Sequence, residues 1–187
     1  MNSAFSRPRN ILCFSSQRWD FVMRRPQQLL LRFAEQDTNV YFFEDPLFDA
    51  AEEAFLSFGT RSETLWKVVP HIKPGLTPAE VTSCLAELLA RFLKHAKLDN
   101  WIFWYYTCSA LSFSKNYRPK VVIYDCIDES AISASAITKV DPLEKELLKR
   151  ADLVFKTVSF HCPVRVDWDN VYHHIVHQIS KVVPGIN

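Results

Sequence analysis

The sequence predicts an α/β protein built on a doubly wound, mostly parallel six-stranded sheet with helices on both faces. Three observations carry that expectation. Six short runs rich in β-branched and aromatic residues recur along the chain, and most are continuously apolar rather than alternating, as in strands covered on both sides. Segments with apolar residues at helical spacing lie between them. The resulting alternation of strand and helix calls for right-handed crossovers between parallel strands.

The first strand is expected over 10–15, NILCFS. A helix follows, with Pro26 suited to its first turn and Leu29, Leu30, Phe33 and Ala34 repeating at helical spacing to about residue 36. The second strand is expected at 39–44 and the third at 65–70, with a long, partly helical connection over 45–64. The clearest helix opens at Thr77 with Pro78 and Glu80, a capping-box spacing. Its stripe of Val81, Leu85, Leu88, Leu89, Phe92 and Leu93 carries it to about residue 96. Strands at 101–106 and 120–125 come next, then a Ser/Ala-rich loop over 128–139. A helix over about 141–150 and a strand at 152–157 complete the alternation. Trp168, Val171, Tyr172, Ile175, Ile179 and Val182 or Val183 keep helical spacing, which predicts a terminal helix from about Asp167.

Composition narrows the function. The chain's 187 residues suit one domain with a real core, and its 48% hydrophobic and 23% charged residues are ordinary for a soluble protein. A net charge of +1 offers no electrostatic footprint for nucleic acid. The polar N-terminus lacks the apolar core of a secretory signal, and no run approaches the roughly 18 apolar residues of a spanning helix. Five scattered cysteines contain no CxxC pair, so neither a disulfide scaffold nor a thiolate zinc site is supported. A cytoplasmic protein is expected, with at most peripheral membrane contact. His173, His174 and His177 spell HHxxH, but the glutamate of the metalloprotease signature is missing, and a solvated helix face is the favoured reading. No metal and no cofactor is expected. None of the three glycines (Gly59, Gly75, Gly185) falls between a strand and its following helix, so phosphate loops of the GxGxxG or Walker kind are excluded.

In open parallel sheets ligands bind outside the carboxyl ends of the strands, where the strand order reverses. With strand order 3-2-1-4-5-6, the loops after the first and fourth strands face each other there. After the first strand the chain reads SSQRWDFVMRRPQQ. Arg18 and Arg24 supply guanidinium groups able to hold a phosphate or carboxylate through paired hydrogen bonds. Trp19 offers a ring to stack on a sugar, and Asp20 can accept a bond from an acceptor hydroxyl. The same residue types also suit a brace, with Trp19 and Phe21 filling core and an arginine paired with Asp20 or Glu44. Other candidates at strand ends are Glu44, Tyr105, Asp125 and Asp128. Glu44 and Asp128 also suit turn or capping roles. Of Tyr105 and Tyr106, alternation allows at most one to line a site. No catalytic base is assigned.

The blocks ILCFSSQRWDFVMRRPQQLLLRFA, VYFFEDPLFD, WIFWYYT, VVIYDCIDE and ADLVF follow in order over roughly 10–157. Together they resemble the N-terminal, acceptor-side domain of bacterial GT-B glycosyltransferases of the family-4-like group. The R-W-D-F-V-x-x-R-P-Q block is the most specific of them. The resemblance implies a Rossmann-like half of a two-domain enzyme used in polysaccharide biosynthesis. This half would receive a saccharide or lipid-linked acceptor. A second, missing domain would hold the nucleotide-sugar donor, so the chain is expected to be a truncated half, inactive or incomplete alone. Domain limits of 1–157 for that half and 158–187 for a divergent, helical tail follow, with homo-oligomerisation possible. The competing expectation is a non-catalytic saccharide-binding or protein-interaction module on the same fold.

Overall fold

A computed structural model describes residues 10–21, 23–128, 141–158 and 166–183. Its centre is a seven-stranded sheet: β1 (Asn10–Ser15), β2 (Asn39–Glu44), β3 (Phe55–Ser62), β4 (Leu65–His71), β5 (Trp101–Tyr105), β6 (Val121–Asp128) and β7 (Leu153–Val158). The order across it is β3-β4-β2-β1-β5-β6-β7. All pairings are parallel except β3 with β4. The six strands expected from sequence thus take the doubly wound order, and a seventh extends one edge.

That seventh strand corrects the expected six-stranded sheet and its partly helical connection over 45–64. β3 reads FLSFGTRS and is largely exposed, with intermediate burial only at Leu56, Ser57 and Gly59. As an edge strand it has no second partner and shows no continuous apolar run. It returns into β4 through Glu63 and Thr64, with a register shift between Thr60 and Ser62.

The helices are α1 (Arg25–Ala34), α2 (Pro78–Leu93), the short α3 (Leu111–Ser114), α4 (Pro142–Arg150) and α5 (Trp168–Val182). Each long helix begins where its sequence provides for it. Pro26 and Pro78 occupy first turns, Thr77 and Glu80 bond reciprocally across the start of α2, and Asp141 and Asp167 accept the first free N–H groups of α4 and α5. Before α2, Pro74 and Gly75 make a turn in which Gly75 has φ of 81°, a conformation that favours glycine.

Two cores follow from the strand pleat. On one face Ile11, Cys13, Phe42, Trp104 and Ile123 pack against Leu29, Leu30 and Phe33 of α1 and Tyr172, Ile175 and Ile179 of α5. On the other, Leu12, Phe14, Phe43 and Phe103 pack against Leu89 of α2, Leu111 of α3 and Leu147 of α4. The terminal helix therefore completes one of the two layers. The expected Ser/Ala-rich loop lies, past Asp128, outside the described residues.

Candidate functional site

β1 is flanked by β2 on one side and β5 on the other, so the chain reverses direction of winding at its carboxyl end. A pocket of about 510 Å³ opens there. Its floor is Phe14, Ser15, Phe43 and Glu44 at the ends of β1 and β2. Its walls come from Arg18, Asp45 and Phe48, from Thr82 and Leu85 of α2, and from Thr107, Ser109 and Phe113 around α3. Such a volume suits a small ligand of one or two rings.

The loop after β1 is held by two polar side chains from neighbouring elements. Glu44, whose side chain is 2% exposed, accepts the Trp19 backbone N–H at 2.7 Å through Oε1 and Arg18 Nη1 at 3.0 Å through Oε2. Gln27 is fully buried; its Nε2 donates to the Trp19 carbonyl at 3.3 Å, and its Oε1 accepts the Arg24 N–H at 3.1 Å. Arg18 also donates to the carbonyls of Asp45 at 2.6 Å and Pro46 at 3.3 Å, which joins the β1 and β2 loops at the pocket rim. Burial and the Glu44 charge push the Asp45 carboxyl up from its ordinary value, while Arg18 pulls it down.

The sequence-derived candidates separate. Arg18 and Glu44 line the pocket together. Trp19 is buried, its ring meeting Phe42 edge-on at 5.0 Å, and serves the α1-side core. Asp20 turns away from the pocket to Arg61 Nη2 and Lys67 Nζ, both at 2.6 Å, and bonding to Lys67 leads the lowering of its carboxyl pKa. Arg24 lines a separate, smaller hollow of about 270 Å³ with Ser16, Gln17, Arg18 and Phe21.

Tyr105 lies beneath the pocket. Its ring stacks on Phe14 at 4.8 Å, its hydroxyl meets Ser114 Oγ at 2.8 Å, and burial pushes its pKa up to about 12. Tyr106 takes the opposite face, as alternation requires. Asp125 is fully buried on that opposite face and receives Arg25 Nε at 3.0 Å, with Tyr106 and Trp104 beside it. The side chain of Asp128 lies outside the described residues. Phe21, which the brace reading put in the core together with Trp19, is instead 86% exposed.

Thr82, Phe48, Ser109 and Phe113 were not singled out by the sequence reading. They reach the pocket from elements distant in the chain, and no local motif marks them. Thr107 sits in a strand-end segment that the expected strand order did place opposite the β1 loop.

No family model matches the chain, and no curated protein matches it either. Among solved structures, it is similar to a trehalose-6-phosphate protein of E. coli bound with UDP-2-fluoro glucose, at 11% identity and a TM-score of 0.48. It is also similar to an α,α-trehalose-phosphate synthase (UDP-forming) from Burkholderia xenovorans in complex with glucose-6-phosphate, at 10% identity and a TM-score of 0.44. In each case 78% of this chain is covered, and it spans 39% of the other.

The arrangement itself defines what the pocket can do. Phenylalanine walls and hydroxyl groups offer stacking together with bidirectional hydrogen bonding, a combination suited to a polyhydroxylated ligand. Among the described residues no group of three or more His, Cys, Asp or Glu is placed to hold a metal ion. His173, His174 and His177 are exposed on α5. No helix among the described residues is long and apolar enough to cross a membrane.

Proposed function

We propose that this chain is the acceptor-side half of a glycosyltransferase, positioning a saccharide for transfer of a sugar from a nucleotide-sugar held by a second domain. The observation that carries the reading is the pocket at the end of β1, walled by Phe48 and Phe113, furnished with Thr82, Thr107 and Ser109, and rimmed by the Arg18–Glu44 pair. It occupies the reversal point where open α/β sheets bind ligands. The resemblance of the R-W-D-F-V-x-x-R-P-Q block to GT-B acceptor domains supports the same role. In this role the half holds the acceptor hydroxyl in a fixed direction and lowers the entropic part of the barrier. The donor's diphosphate would be stabilised elsewhere, because the loop after β1 has no glycine-rich cradle. Exposed Phe21 and Met23 on that loop supply apolar surface for the second domain.

Calorimetric titration with saccharides and with nucleotide-sugars tests the reading. Saccharides are expected to bind, and Thr107→Val or Phe48→Ala to weaken them without unfolding the chain. Tight nucleotide-sugar binding with turnover by this chain alone would overturn the half-enzyme assignment. Binding of neither ligand, accompanied by a stable oligomer, would favour an interaction module.

A further inference from the structure

We infer that the β1 pocket selects its saccharide by charge, accepting an uncharged or amino-bearing sugar and rejecting a phosphorylated one. The inference rests on the proposed saccharide role of that pocket and names the class of acceptor. The arginines after β1 invite the opposite expectation, since guanidinium groups are common phosphate ligands. In the folded chain Arg18 and Arg25 are already committed, and Arg24 faces a separate hollow. Arg25 is joined to buried Asp125, on the far face of the sheet. Among the described residues Arg18 is the cation lining the pocket, and it is held by Glu44 and by two backbone carbonyls.

Among the described residues, the charged ones lining the pocket are Arg18, Glu44 and Asp45, one positive and two negative. Their formal charge is therefore −1. Glu44 cannot be released to make room for an anion at small cost, because its other oxygen holds the Trp19 N–H and the side chain is buried. Taking Arg18 from it would leave a desolvated, unpaired carboxylate. A phosphate entering the pocket would also face the Asp45 carboxylate on the same wall. A neutral sugar meets none of this, and an ammonium group gains the attraction of Asp45. The exposed Phe48 ring, 52% accessible, can take either against an apolar sugar face.

The test is calorimetric or NMR titration of the whole chain with matched glucose, galactose and mannose series: the free hexose, the 2-amino hexose, the hexose 6-phosphate, and inorganic phosphate as control. The free and amino sugars of at least one series are expected to bind about tenfold or more tightly than the 6-phosphate, a ratio matching one repulsive contact at partial screening. Asp45→Asn should shrink the gap between the amino sugar and the 6-phosphate. A 6-phosphate that binds as tightly as its free hexose, or an Asp45→Asn variant with an unchanged ranking, would overturn charge selection while leaving the saccharide role standing. If no member of any series binds, the saccharide role falls and charge selection falls with it.

Discussion

Arg25 and Asp125, a hundred positions apart, meet through Arg25 Nε contacts of 3.0 and 3.2 Å to the two carboxylate oxygens. The pair ties the start of α1 to β6, with the carboxylate fully buried. It is the reason that the second arginine of the RRP triplet behaves differently from the first, which lines an open hollow.

Removing the cation alone should be costly. Arg25→Met leaves Asp125 buried and unpaired, and is expected to destabilise the fold by about 3–5 kcal/mol. Asp125→Asn should cost less, because the Arg25 guanidinium left behind is 15% exposed and can still donate to the amide oxygen, whereas the stranded Asp125 carboxylate is fully buried. Urea denaturation of the two variants checks the order. The pH dependence follows from burial, which raises the Asp125 pKa and which Arg25 opposes. The folded chain then holds the proton more tightly than the unfolded one. This group's contribution to stability therefore declines as pH rises from the ordinary carboxylate range through the raised value, and Arg25→Met should steepen the decline. A variant with a flat profile would count against the pair as the cause.

Glu44→Ala removes the acceptor for both the Trp19 N–H and Arg18. A cost of about 1–3 kcal/mol is expected for the stranded buried N–H group. Saccharide binding should weaken as well, since Arg18 loses its position at the rim. Unaltered stability in thermal unfolding would show that the loop is held by other contacts.

Asp20 makes a contrasting case, as its side chain is 55% exposed. Its ion pairs with Arg61 and Lys67 lie in solvent, so Asp20→Ala should change stability by less than about 1 kcal/mol. Because its carboxyl pKa is lowered, mainly by the bond to Lys67, its stabilising contribution is present above the unfolded value and is lost as pH falls. Saccharide affinity should be retained in this variant. A large loss in calorimetric titration would mean that Asp20 reaches the ligand after all.

Tyr105→Phe removes a hydroxyl that meets Ser114 in the core, while Ser114 keeps its bond to the Ala110 carbonyl at 2.7 Å. A cost of about 0.5–1.5 kcal/mol with unchanged ligand binding is expected. Weaker binding without loss of stability would place the tyrosine in the site.

Ile175→Ala, in α5, should cost about 2–5 kcal/mol, because Ile175 is buried in the α1-side core with Phe33 and Tyr172. Chemical denaturation reads this directly. A negligible change would show that the terminal helix is dispensable to the domain.

The sequence by itself determined six of the seven strands, the four long helices and the doubly wound class. Continuous apolar runs such as ILCF and VYFF can be satisfied only between two covered faces, and capped starts such as Thr77-Pro78 act locally. It also pointed to the carboxyl end of β1, where the pocket opens, and to the loop that follows. It missed β3, read as part of a partly helical connection, because its Ser, Gly, Thr and Arg residues form a strand only with β4 beside them. It equally left open which charged residue is committed to which partner. Arg18 and Glu44, Arg25 and Asp125, and Asp20 with Arg61 and Lys67 are separated by 26 to 100 positions. Local sequence carries no record of such pairings, since an arginine held by a buried carboxylate and one free to bind phosphate read alike. Only the packing of strands and loops brings those charges together, and that assignment turns the SSQRWDFVMRRPQQ stretch from a set of ligand candidates into a braced wall with Arg18 at its rim.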